Sequence, residues 1–423
     1  MNISLLGKVC LLSSITCLMN AGEWNQHRGP FSNNLSDESI NSANWLKSPN
    51  SVEWKVKTPL GFSSFTTYKG NAYTLIAEED EDGLMREICI SLDLKTGKRE
   101  WSTHLGIMDY KAGGGNSGAA DNKGGDGPRS TPSVLEGKVW AYDSDMSLYC
   151  MSAKDGKLIW KVNVLKEHAG INPRWENACS PLIVDDLVII YGGGPKESFL
   201  AFEKDSGKVK WKSGSELATH ATPILTEIHG VEQVIFFCQS GLVSLQPKSG
   251  NELWRQEFPY KVSTAASPVV AGDLVYCSAG YGVGAGLYKI TKRGNKFSSE
   301  QVWRKPNDVI NHWSTPVYDN GHLYGMFSFK KYGDGPLQCV ELKTGRVKWS
   351  EDGYGPGNVI LAGKNLLALS DKGELSVVEA TPNYYKELGR KKLISGKCWS
   401  TPTLSQGTVL VRSTEEAACL SVR

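Results

Sequence analysis

The stretch DLKTGKREW, residues 93–101, decides the fold. A strand-like run (CISLD) leads into it. The chain then turns through an acidic residue and Gly97 and re-enters a strand that closes on Trp101. This is a hairpin signature: Gly takes a turn position with positive φ, and the Trp packs between layers. The same motif returns as AKDGKLIW (153–160), EKDSGKVKW (203–211), QPKSGNELW (246–254) and ELKTGRVKW (341–349), with a looser copy over 294–303. One motif repeated around a chain of 423 residues makes a repeat architecture, not two or three separate domains.

Working outward, a second motif precedes most of these copies by about thirty to forty residues. Its forms are RSTPSVLEGKVW, ACSPLIVDDLVIIY, HATPILTEIHG, AASPVVAGDLVY, WSTPVYDNGHLY and WSTPTLSQGTVL. GFSSFTTYKGNAY and GPGNVILAGKNLL are degenerate copies, with Phe65 and Val359 in place of Pro. Period-2 alternation through each unit gives four strands. The expectation is all-β: an eight-bladed β-propeller of four-stranded blades over residues 51–423. The last unit ends at CLSVR without its Trp strand, while SVEWKV, with Trp54, stands orphaned before the first unit. Joining the two closes the ring and leaves no open edge. Trp54, Trp101, Trp160, Trp211, Trp254, Trp303 and Trp349 are therefore structural.

The surroundings of the ring set further bounds. Lys+Arg 47 against Asp+Glu 45 give no electrostatic reason to propose a nucleic-acid partner. Residues 1–21, with Lys8 ahead of a short apolar stretch and Ala21 at a small-residue cleavage point, read as an export signal. That run is too short to span a bilayer, and no second apolar segment is long enough for a transmembrane helix. Lipid anchoring at Cys17 is not expected, because Ser14-Ile15-Thr16 fits a lipobox poorly. The protein is thus expected to be periplasmic or secreted and monomeric. Residues 22–50 form an extension before the ring. A Gly-rich insertion over 103–128 has no apolar period. Cys89, Cys150, Cys339 and Cys419 share one repeat register and read as small buried hydrophobes.

The AxDxxTGxxxW-type repeat resembles that of the PQQ-like (pyrroloquinoline-quinone) propeller proteins, which include quinoprotein alcohol dehydrogenases and BamB-type outer-membrane assembly lipoproteins. WNQHRGP, residues 24–30, is similar to the W-x-x-x-R-G-P start of exported PQQ-like repeat proteins from planctomycete and verrucomicrobial bacteria. The resemblance implies the fold, and PQQ with calcium as the cofactor of an enzyme form. Quinoprotein dehydrogenases, however, hold the cofactor between a Trp and a disulfide of adjacent cysteines. This chain has no Cys-Cys pair, and no CxxCH for a haem. The fold transfers without the activity.

Register on the Pro also separates scaffold from candidate site. The two positions before it are small in every unit, a scaffold requirement where blades crowd the axis. One step further back stand Phe62, Arg129, Ala178, His220, Ala265, Trp313, Pro356 and Trp399. No packing rule selects that mixture. This loop sits on the rim of the central funnel, so the candidate ligand-binding residues are Arg129, His220, Trp313 and Trp399. Neighbouring loop positions add Arg174, Trp175, Glu176, Asn177 and His312. The structural alternatives are hydrogen-bonded loop histidines and arginines that tie neighbouring blades. No catalytic residue and no metal-ligand set is assigned. The favoured function is a binding or scaffolding protein for a small molecule or glycan. The rivals are a PQQ-dependent dehydrogenase, with Glu176 and Asn177 helping to hold a cation, and an envelope-protein assembly platform.

Overall fold

The computed structural model describes residues 22–108, 127–329 and 331–422. Eight sheets follow one another around a ring. Blade 1 is built from Thr66–Tyr68, Asn71–Glu79, Met85–Asp93 and Arg99–Ile107, innermost strand first. Blades 2 to 7 repeat that order, with inner strands beginning at Ser133, Leu182, Ile224, Val269, Val317 and Asn358. Blade 8 takes three strands from the C-terminal end and its outer strand, Val52–Lys57, from before the ring. That strand runs antiparallel to Glu416–Ser421, with Trp54 beside Cys419. Arg412 of blade 8 locks the seam by donating to the Ser63 carbonyl of blade 1 at 2.8 Å and to that of Leu60.

The turn motif works between blades. Nε1 of Trp54 donates to the Leu94 carbonyl of the next blade at 3.0 Å, Trp101 to that of Ala153 at 3.0 Å, and Trp160 to that of Lys204 at 3.1 Å. Trp211, Trp303 and Trp349 reach Pro247, Leu342 and Thr381 at 2.7, 3.0 and 2.7 Å. Trp54, Trp101, Trp160 and Trp211 also pack their rings against the turn glycine they face, Gly97, Gly156, Gly207 and Gly250. A methyl on Gly97 would stand 2.6 Å from the Trp54 ring, and one on Gly207 2.7 Å from Trp160. So the Gly and Trp of one motif copy serve different neighbours. Trp254 is the exception: it bonds Gln233 of its own blade at 2.7 Å, because blade 5 carries the loose copy and lacks the turn.

The small residues before the Pro do more than save space. The N–H of Thr401 donates to Oγ of Ser64, that of Ser64 to Thr131, Thr131 to Ser180, and Ser180 to Thr222, all between 2.8 and 3.0 Å. Ser267 continues the pattern to Thr315 at 2.9 Å. A hydroxyl on five of the eight inner turns thus satisfies a buried backbone donor of the preceding blade.

One expectation is corrected. Residues 103–107, placed in the insertion, continue the outer strand of blade 1; of the remainder, 109–126 lie outside the described residues, as does the export signal, 1–21. The extension, 22–50, packs on the ring. Leu35–Ser36 adds a parallel fifth strand to the inner edge of blade 7. Before that, the chain bonds the inner strands of blades 8, 1 and 2 through Gly22, Trp24 and Asn25, and Asn34 reaches blades 6 and 7. The extension closes one end of the central channel. The cysteines behave as buried apolar side chains: all eight described are unbridged and buried.

Candidate functional site: the central funnel

Seven of the nine candidate residues line one cavity of about 880 Å³ on the ring axis. Its two sides differ. On one, Trp313 and Trp399 sit with ring centroids 4.6 Å apart, and Phe62 stacks on Trp399 at 4.6 Å and 26°. Nε1 of Trp313 is used on the Pro356 carbonyl at 3.1 Å. Nε1 of Trp399 has no partner among the described residues. His312 stands edge-on to Trp313 at 4.8 Å.

The other side is basic. The turn at residues 173–176, closed by the Glu176 N–H on the Pro173 carbonyl at 3.0 Å, carries Trp175 and Glu176 in the left-handed region, at φ 69° and 64°. Non-glycine residues enter that region at a cost of about 1–2 kcal/mol each, so the turn must be held from outside. Arg129 donates to the Trp175 carbonyl, and His220 Nε2 bonds the Arg174 carbonyl at 2.7 Å. The Arg174 guanidinium lies over the Trp175 ring at 4.8 Å. Because a carbonyl can only accept, His220 carries its proton on Nε2. Burial first, and the Arg129 charge second, lower its pKa to about 4, so the ring is neutral near pH 7.

Glu176 and Asn177 are not in the lining. Asn177 folds back, donating to the Asp143 carbonyl at 3.1 Å and accepting from the Cys179 N–H at 3.0 Å. Glu176 accepts from Asn172. The sequence reading missed Tyr281 and Tyr332, which lie outside the Pro register, and the floor. The floor is His27, Arg28 and Asn34 of the N-terminal extension. Its signal was WNQHRGP: Arg28 and Gly29 turn at φ 66° and 84°, and a methyl on Gly29 would stand 3.0 Å from the Trp24 ring.

The family resemblance implies PQQ beside a calcium ion, and the donor set answers that in two parts. Three arginines and a tryptophan row suit a flat polyanion. Calcium takes six to eight oxygens, carboxylates prominent among them. Among the described residues no Asp or Glu lines the cavity, and no three His, Cys, Asp or Glu side chains anywhere group to hold a metal. The residues therefore do not fit a calcium–quinone pair, and no dehydrogenase step is derived.

Comparison with known proteins agrees with the architecture. Among solved structures, the quinohemoprotein alcohol dehydrogenase of Comamonas testosteroni superposes with a TM-score of 0.66 at 13% identity, covering 95% of this chain and 80% of that one. BamB of Moraxella catarrhalis gives 0.59 at 11%, covering 88% and 97%. At such identities the likeness shows the fold alone. A curated relative, the tetrathionate hydrolase of Acidithiobacillus ferrooxidans, is 23% identical over 218 residues, 52% of this chain. The matched part spans only 36% of that protein's length. Residues 85–351, more than half of the chain, match the family model described as outer membrane protein assembly factor BamB, and the chain belongs to that PQQ-type propeller family.

Proposed function

We propose that the chain is an exported binding protein whose funnel takes a flat, anionic small molecule. The observation that carries this is the pairing of the Trp313–Trp399 row with Arg129 and Arg174 in one cavity of about 880 Å³. The volume suits a small ligand, and aromatic walls with a few fixed polar groups are the usual make-up of such sites. A flat body would lie on the indoles, with its negative groups turned to the guanidiniums. The unpartnered Nε1 of Trp399 adds a donor from the aromatic side. Tetrathionate, the compound in the curated relative's name, is a dianion.

The assembly role in the family's description would use the outer surface instead. The large exposed apolar side chains there, such as Leu158, Val209 and Val347, recur at one register on separate blades. Scattered exposure of that kind is normal and does not make a patch. The funnel is the better-supported site.

The test is a tryptophan-fluorescence titration with PQQ, with and without calcium. Saturable quenching that does not need calcium and is lost in Trp399→Ala supports the reading. Absence of any saturable change with PQQ or tetrathionate rejects it.

A further inference from the structure

We propose that Arg28, on the floor of the funnel, is the anchor for an oxyanion: a carboxylate, sulfonate or phosphate group carried by the ligand. This rests on the binding reading above and extends it to the chemical class that the deep end of the site selects.

The Arg28 side chain is 2% exposed, and among the described residues its Nε and Nη1 have no hydrogen-bond partner. Among the described residues no carboxylate balances it, since the cavity lining holds Arg28, Arg129 and Arg174 and no Asp or Glu. An uncompensated buried cation costs several kcal/mol, and buried donors without partners are rare enough to demand a reason. Burial alone pulls the guanidinium down to about 9, the direction expected of a cation lacking a counter-charge.

The surroundings are short of partners in the same place. Nδ1 of His27 is also unbonded among the described residues. The amide nitrogen of Asn34 is committed to the Thr315 carbonyl at 3.0 Å, which fixes the side chain. Arg28 is itself held in the left-handed region at φ 66°. A strained backbone that delivers a guanidinium with two nitrogens unpartnered among the described residues into a cavity is an arrangement kept for something other than stability. An oxyanion seated there would satisfy both free nitrogens with charge-assisted bonds. Arginine suits this better than lysine, because its planar donors match two oxygens of one group. The opening end, with Arg129, Arg174 and the tryptophan row, would then hold the rest of the molecule.

The probe is inorganic sulfate, with selenate as its heavier analogue, on the intact protein. Sulfate stabilises folded proteins generally by exclusion from their surface, so the comparison between wild type and variant is what counts. Arg28→Gln is expected to weaken sulfate affinity about tenfold or more, with Arg28→Lys between the two. In wild-type crystals soaked with selenate, an anomalous peak is expected at about 3 Å from Nε or Nη1 of Arg28, which tests the anchor even if Arg28→Gln does not fold. Equal sulfate affinity in wild type and Arg28→Gln overturns it, as does selenate found elsewhere in the funnel only, or nowhere. The two readings fail separately. PQQ quenching of equal affinity in wild type and Arg28→Gln would remove the anchor and leave the funnel reading standing. Selenate at Arg28 with no response to PQQ or tetrathionate would do the reverse.

Discussion

The indole rings of Trp313 and Trp399 lie 4.6 Å apart although they enter the funnel ahead of blades 6 and 8. Blade 7 leaves them that room because its rim position is Pro356, flanked by Gly355 and Gly357, and the Pro356 carbonyl is what Trp313 bonds. Phe62 extends the row by stacking on Trp399.

Trp399 is the middle member of that row, so its removal should be felt more than that of either neighbour. Trp399→Ala is expected to weaken a flat ligand about tenfold, or about 1.4 kcal/mol. Phe62→Ala should cost less, since Phe62 meets the ligand through the edge of the row. Isothermal titration of both variants checks the order. Equal losses would mean that the row is packing and not a platform.

The turn glycines give a sharper test of the fold. Gly207 has φ 69°, and a methyl there would stand 2.7 Å from the Trp160 ring; Gly70 has φ 81° with nothing within 4 Å. Both Gly→Ala changes carry the backbone cost of about 1–2 kcal/mol. Gly207→Ala must in addition push the indole off the turn and endanger its bond to the Lys204 carbonyl. It should therefore lower the melting temperature clearly more than Gly70→Ala. Matching melting temperatures would show that the Trp–Gly contact is not what holds adjacent blades.

These contacts explain what the sequence could tell. In most motif copies the Gly and the Trp meet neighbouring blades and not each other, so the constraint recurs from unit to unit and becomes visible as a period. The hydroxyl before each Pro is legible for the same reason. The funnel was found by the converse signal: one step from the small residues the identity varies freely, and Phe62, Arg129, His220, Trp313 and Trp399 all reach the cavity. Glu176 and Asn177 were misplaced because two successive left-handed residues turn the chain, and sequence adjacency does not report that. The floor was missed because residues 22–36 run across the blades. They bond mostly to backbone, which leaves no periodic trace, and only Trp24, Arg28 and Gly29 mark the turn.

Acid should loosen the basic side of the funnel through His220. Its pKa falls from 6.5 in the unfolded chain to about 4, chiefly by burial and next by the charge of Arg129. The unfolded state therefore binds more protons in that window. The stability contribution is full above pH 6.5 and is lost as pH falls toward 4, by about 3 kcal/mol. His220→Gln should flatten the decline of the urea midpoint between pH 6.5 and pH 4. Part of the decline should remain, because burial, followed by the Arg28 charge, holds His27 down at about 3. An unchanged decline in the variant would refute the assignment.

The opposite sign is expected at Asp143. Its side chain is buried at the junction of blades 1 and 2, where it accepts from the Ser147 N–H at 2.7 Å and from the Tyr149 hydroxyl at 3.1 Å. Burial first, and the charge of buried Glu87 second, hold its carboxyl well above the ordinary value of 3.8. Here the folded state binds more protons, so the contribution is full below 3.8 and is lost as pH rises through the raised folded value. Asp143→Asn keeps an acceptor for Ser147 or Tyr149 and cannot ionise. The wild type should lose melting temperature from pH 5 to pH 9, and the variant should lose less. With His220 failing on the acid side and Asp143 on the alkaline side, the two single variants should flatten opposite limbs of one stability profile. If Asp143→Asn changed the acid limb instead, the proton would sit on Glu87 and the assignment within the pair would have to be exchanged.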